Sequence, residues 1–271
     1  MKKLLIILVA LPFFSADAQR NSLWISSGYN YGIAKNINEV DMNWGTPKKY
    51  SLGSGTSTQL YFQHQPDSSN WTIGAGTNIL IGNRNLAGIK ENKGDSSVKS
   101  ATLTSNSLRF FIQLGYAWQI KKLQFQLNAG ITIPALTTIN GEINTRDSFK
   151  SSVEKFKINN YFSIGFKGSF SVRYKIKSRI LLFLMLDQQI LNAKVRKKST
   201  FSYSGSDGSG LNDAYPNYSD RESVYMKNVE DIRNNKAVLP TAFNKDKATE
   251  SLSYSQSYSS LGLQLGFQFL F

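Results

Sequence analysis

The sequence predicts an all-β fold: an up-and-down antiparallel β-barrel of eight strands, apolar outside and polar inside. Three observations predict it. They are the alternation of the last eleven residues, seven further alternating segments, and connections that switch between short and long. At the C-terminus, Leu261, Leu263, Leu265, Phe267, Phe269 and Phe271 occupy every second position, and up to Gln268 only Gly and Gln stand between them. A period of two belongs to a strand with one apolar face. Six apolar residues on one face, the last three of them Phe, suit a transmembrane strand whose outer face touches lipid and whose rings lie at the interface. Leu270 departs from the pattern, since a polar residue is expected there.

Taken in order, the predicted strands are Leu23–Ala34, Leu52–His64, Trp71–Ile81, Ser107–Ile120, Leu123–Ile133, Tyr161–Ile176, Ile180–Ala193 and Tyr258–Phe271. Strand four sets Leu108, Phe110, Ile112, Leu114, Tyr116, Trp118 and Ile120 against Arg109, Phe111, Gln113, Gly115, Ala117 and Gln119. Strand five sets Leu123, Phe125, Leu127, Ala129, Ile131 and Ile133 against Gln124, Gln126, Asn128, Gly130 and Thr132. Strand six opposes Phe162, Ile164, Phe166, Phe170, Val172 and Tyr174 to Ser163, Gly165, Lys167, Ser169, Ser171 and Arg173. No helical period competes over these stretches. Strand seven has the weakest pattern, because Leu181 to Leu186 is apolar on both faces.

Strands two and three are joined by Gln65 to Asn70, four and five by Lys121-Lys122, six and seven by Lys177 to Arg179. The other four connections run from about 17 to about 64 residues. Strict alternation of this kind belongs to a membrane barrel with short periplasmic turns and long extracellular loops. An even strand count then puts both termini in the periplasm. A hairpin hidden in the last loop would raise the count to ten. In that loop, Thr200 to Tyr203 and Leu252 to Ser255 alternate and suit a ribbon rising beyond the membrane, while Gly205 to Asp220 is predicted as a mobile tip. Thr137 to Ile139 and Val153 to Ile158 suggest a similar ribbon after strand five. The apolar parity changes between Tyr258 and Leu261, which predicts a β-bulge at Ser259-Ser260.

The N-terminus has the form of a secretory signal peptide: basic Met1-Lys2-Lys3, an apolar run from Leu4 to Phe14, and a small-x-small site at Ala16-Asp17-Ala18 before Gln19. The run of about 11 residues is too short to span a bilayer as a helix. The predicted organisation is therefore a signal peptide over residues 1–18 and a barrel domain over 19–271. The chain has no Cys, so neither a lipid anchor on a thiol nor a disulfide framework is available. The formal charge of +14 falls to +13 once Lys2, Lys3 and Asp17 are removed. For an exported chain the natural counter-charge is the phosphate of lipopolysaccharide rather than nucleic acid.

The alternation ending on Phe267, Phe269 and Phe271 resembles the C-terminal assembly signal of Gram-negative outer-membrane β-barrels. The layout resembles the small OmpX-like proteins of the broad outer-membrane β-barrel domain family. The resemblance implies insertion by the β-barrel assembly machinery and a place in the outer membrane, and says little of activity. Some barrels of similar layout are enzymes with a His at the extracellular rim. Here His64 is the only histidine, and it ends strand two beside the Pro66 turn, on the predicted periplasmic side. Asp207, Asp213, Asp220 and Glu222 lack the spacing of a calcium cage. No catalytic, cofactor or metal site is predicted. Arg109, Gln113, Gln124, Gln126, Lys167, Arg173, Gln264 and Gln268 are predicted to line the lumen as a polar network, with Asp187 as counter-charge if strand seven turns it inward. The expected role is a non-enzymatic structural or surface-interaction barrel whose loops contact lipopolysaccharide or another surface partner. A small passive channel is the alternative.

Overall fold

A computed structural model describes residues 20–34, 46–47, 50–66, 69–92, 97–147 and 149–271; the predicted signal peptide lies outside them. Eight strands form the barrel: β1 (Arg20–Gly32), β2 (Gly55–Gln65), β3 (Trp71–Gly82), β4 (Ser97–Ile120), β5 (Leu123–Arg146), β6 (Gly165–Lys177), β7 (Ile180–Ile190) and β8 (Ser260–Leu270). Each pairs antiparallel with its neighbours in sequence. Pairing of β8 with both β7 and β1, the latter from Ser22 opposite Leu270 to Gly32 opposite Ser260, closes the ring. Closure leaves no edge, which is what a sheet in a medium without water requires.

The alternation in sequence becomes an inside-out distribution of side chains. On β8, Leu261, Leu263, Leu265 and Phe267 point outward and are exposed, while Gly262, Gln264, Gly266 and Gln268 point inward and are buried. The ten steps from Leu261 to Phe271, at roughly 3.3 Å each and a tilt of about 40°, give an apolar band about 25 Å tall. That matches the hydrocarbon height that membrane barrels cover. An outer face carrying Ile25, Leu60, Ile73, Ile112, Leu127, Phe166 and Leu184 in the open is the surface of a chain dissolved in lipid.

At the end away from the short turns, the preference of the two faces inverts without any change of backbone parity. Along β7 and the strand that follows (Asn192–Gly205), the outward residues Leu182, Leu184, Leu186 and Ile190 give way to Lys194 and Arg196. Over the same stretch the inward residues change from Asp187 and Gln189 to Leu191, Ala193 and Val195. On β4, outward Leu114, Ile112 and Phe110 are succeeded by Asn106, Thr104 and Thr102, as inward Gln113 and Arg109 are succeeded by Leu103 and Ala101. Lipid outside demands apolar side chains outside; water outside demands them within. The inversion therefore marks the level at which the wall leaves the membrane.

Above that level stands a water-facing extension with its own core. β4 and β5 run for 24 residues each, where about 9–11 cross a bilayer. Their outer halves belong to a continuous sheet in the order Thr249–Leu252, Glu222–Met226, Asn192–Gly205, Ser151–Asn160, β5, β4, Asn85–Asn92 and Thr46–Pro47. All its pairings are antiparallel except that between Glu222–Met226 and Thr249–Leu252. Leu52, Leu103, Ile139, Ile143, Phe156, Ile158, Val195, Tyr225 and Tyr258 pack together inside it.

Several expectations need correction. The eight strands expected of the barrel are all present, but strands four and five extend far past Ser107 and Ile133, because apolar residues continue there on the inner face. Strand six starts at Gly165 rather than Tyr161. Residues 205–221, for which no regular structure was expected, include two helical turns, α1 (Leu211–Ala214) and α2 (Tyr218–Arg221). Tyr215 Oη donates to Glu154 Oε2 at 2.6 Å, and Arg221 Nε donates to the Tyr215 carbonyl at 2.6 Å, tying these turns to the sheet. The predicted bulge at Ser259-Ser260 is a change of face preference: Gln256, Tyr258, Ser260, Gly262 and Gln264 are all buried at one parity. Tyr258 belongs to the inner core above the membrane and Leu261 to the lipid face below it.

Candidate functional site

The lumen is filled by side chains in layers. Nearest the short turns is a polar layer. Gln126 Nε2 donates to Gln63 Oε1 at 2.8 Å and to Asn128 Oδ1 at 2.5 Å, while Asn128 Nδ2 donates to Ser169 Oγ at 3.1 Å. Across it, Arg173 Nη1 donates to Gln268 Oε1 at 3.1 Å, and Gln268 Nε2 to Ser22 Oγ at 3.0 Å.

Next comes an aromatic layer of Trp24, Tyr61, Phe111 and Phe183 with Met185. Trp24 meets Tyr61 edge-on at 5.6 Å between centroids and Phe183 at 4.8 Å. Glycine on the neighbouring strands makes room: a Cβ at Gly76 or Gly266 would lie 2.6 Å from Phe111 or 2.7 Å from Phe183. The Arg173 guanidinium lies 5.2 Å from the centre of the Trp24 ring and the Lys167 ammonium 4.8 Å from Phe111, so both cations rest on aromatic faces.

Above the rings is a charged layer. The Lys167 ammonium donates to Asp187, and neither side chain has any exposed surface. Gln189 Nε2 donates to the other Asp187 oxygen at 2.8 Å and Gln189 Oε1 accepts from Arg109 Nη1 at 2.5 Å, while Arg109 Nε donates to Ser107 Oγ at 2.9 Å. Asp187 is the single carboxylate among the buried described residues, against the buried cations Arg109, Lys167 and Arg173. Gln113 is buried beside this layer, its Nε2 facing the Lys167 carbonyl at 3.4 Å, and Gln264 joins Ser26 and Ser57. Gln124 shares the inward parity but is only half-buried, near the short turn.

Two features went unread in the sequence. The aromatic layer was hidden because Trp24, Tyr61 and Phe183 sit at lumen positions where polar residues are expected. Gln189 bridges Arg109 to Asp187, but its role depends on the strand-seven register. The inward parity of Leu181, Phe183, Met185, Asp187 and Gln189 settles that register.

A second candidate surface lies on the outside of the extension. Lys155, Lys157, Lys194 and Arg196 are exposed on two paired strands, with Phe156, Ile158, Ala193 and Val195 turned inward beneath them. Beside them, Lys197 bonds Glu222 Oε2 at 2.6 Å, and that bond holds its ammonium above the usual lysine range. On the outward parity Asn192, Lys194 and Arg196 follow Ile190, so the patch begins close to where the apolar band stops.

The remaining candidates are dispersed. His64 Nδ1 lies 2.9 Å from Asn21 Oδ1 at the short-turn end. Asp207 accepts from Ser209 and Lys150, Asp213 from the Gly210 amide, Asp220 from Asn217, and Glu222 from Ser199. Among the described residues, no three His, Asp or Glu cluster as metal ligands.

No protein-family model matches the chain, and no curated protein matches it. Among solved structures, the chain is similar to a major outer membrane protein from Thermus thermophilus. The identity is 10% and the TM-score 0.45, over 94% of this chain and 100% of that one.

Proposed function

We propose that this chain is an integral protein of a Gram-negative outer membrane, with both termini in the periplasm and the extension at the cell surface. It is non-enzymatic, and its extension holds the phosphate groups of lipopolysaccharide against Lys155, Lys157, Lys194 and Arg196. The single observation that carries this reading is the inversion of face preference between Ile190 and Lys194, which sets Lys194 and Arg196 at headgroup height, with Lys157 and Lys155 farther out on the same face, opposite Ser199 and Ser202. Cations at a charged lipid surface contribute about 1 kcal/mol each. Phe267, Phe269 and Phe271 are the segment read by the β-barrel assembly machinery, their rings spaced along the periplasmic end of the lipid face. The layered lumen supports a structural role for Arg109, Lys167, Asp187 and Gln126 over a passive channel, since an eight-stranded barrel is only wide enough to be filled by its own side chains.

The test replaces Lys155, Lys157, Lys194 and Arg196 by Gln and measures binding of the refolded barrel to labelled lipopolysaccharide over a range of salt. The native chain is expected to bind more weakly as salt rises, and the variant at least about tenfold more weakly at low salt with a flattened salt dependence. Equal affinity and an equal salt slope would remove the patch from the account.

A further inference from the structure

Among the described residues, the barrel wall is interrupted between β5 and the strands beside it. β5 pairs with β6 from Leu123 to Thr132 and with the strand Ser151–Asn160 from Thr138 to Arg146. Residues 133–137 and 160–164, which face each other between those ladders, exchange no rungs. The sequence explains the break. Pro134 has no N–H to give, and the register of β4 with β5 slips there, from Leu108 opposite Leu136 to Arg109 opposite Pro134. Opposite, the Tyr161 amide turns away to the Lys194 carbonyl at 2.8 Å.

A cleft of about 190 Å³ occupies the break. Its mouth is formed by Ala135 and Phe162, both exposed on the outer face, and its floor by Leu191, Ala193 and Tyr258, all buried. Ile164 and Leu136, 60% and 67% exposed, continue the apolar surface on either side. Two buried polar atoms of the cleft lining have no hydrogen-bond partner: Thr137 Oγ1 and Asn160 Oδ1. Asn160 Nδ2 is already used, donating to the Tyr258 hydroxyl. Buried polar atoms left unpaired at the level where the wall leaves the lipid are costly unless an occupant satisfies them. An occupant that satisfies them must bring a donor for Asn160 Oδ1 and a donor or acceptor for the Thr137 hydroxyl, and one that enters through an apolar mouth arrives from the lipid.

We propose that this cleft is a binding site for an acyl amphiphile of the surrounding leaflet, which inserts a chain segment over Leu191 and Ala193 and presents a hydroxyl or amide to Thr137 and Asn160. The volume suits part of a chain and its polar joint rather than a whole drug-sized ligand. The site rests on the reading of the outer face as lipid-exposed and adds to it a specific lipid contact at the boundary level.

The test titrates decanoyl ethanolamide, as a mole fraction of the micelle, into the refolded full barrel and follows backbone amide shifts. Saturable shifts confined to residues 133–137, 160–164 and 191–193 are expected. Ala135→Trp, which plugs the mouth, should abolish them. Thr137→Val keeps the shape but removes one hydroxyl, and should weaken binding about two- to tenfold, the worth of one hydrogen bond. Shifts that grow without saturation and spread evenly over the apolar band would overturn the site while leaving the membrane reading in place. Absence of shifts anywhere on the band would remove both. Unchanged affinity in Thr137→Val would overturn the polar half of the proposal even if Ala135→Trp failed to fold.

Discussion

Replacing Asp187 by Leu is expected to destabilise the barrel by about 3–5 kcal/mol, because Lys167 then stays buried without its counter-charge. The pair has no exposed surface, and Gln189 and Arg109 extend from its other side. Removing both charges, Lys167→Met with Asp187→Leu, should recover most of that loss. Two buried ions gain little over well-packed apolar groups once each has shed its water. Unfolding by urea from lipid vesicles measures all three variants. A single-variant cost below about 1 kcal/mol would mean that the lumen is wet enough to solvate Lys167 alone. The layered packing would then be wrong.

Leu265→Arg is the second large effect. Leu265 sits midway along β8, 56% exposed on the outer face, with Leu184 and Ser27 opposite it on the flanking strands. An arginine near the bilayer midplane costs about 2–4 kcal/mol on a membrane barrel. Thr102→Arg provides the contrast: it occupies the same outward face of β4, but above the level where the faces invert, so its cost should be near zero. Equal costs in a folding titration would place both positions in one environment and erase the boundary.

The membrane-spanning part of the fold was legible because lipid outside and a filled lumen inside enforce strict alternation. The patterns of Leu108 to Ile120 and Leu123 to Ile133 were clear for that reason. The extension was hard to read for the complementary reason. Once water replaces lipid, apolar residues move to the other parity, and a strand that continues unbroken looks in sequence like one that has ended or bulged. Tyr258 and Leu261 show this most plainly. Strand seven looked ambiguous because Leu181, Phe183 and Met185 are lumen residues that happen to be apolar; Phe183 and Met185 pack with Trp24, Tyr61 and Phe111 from other strands, and no local pattern announces such a layer. The polar lumen residues from Arg109 to Gln268 were nameable from parity alone, whereas the Arg109–Gln189–Asp187–Lys167 chain needed the register. The wall cleft had one signal in the sequence, Pro134 inside an alternating run.

On the proposed reading, the wall crosses from lipid to water between Ile190 and Lys194. The chain has no native Cys, so single cysteines can be placed one at a time at Leu182, Leu184, Leu186, Ile190, Lys194 and Arg196, all outward positions of one continuous strand path. Spin labels there, in the refolded barrel in vesicles, report their collisions with oxygen, which concentrates in lipid, and with a water-soluble nickel chelate. Oxygen is expected to dominate at Leu182 through Ile190 and nickel at Lys194 and Arg196, with a single crossover between them. Nickel accessibility along the whole series would contradict the account, because the apolar band would then face water.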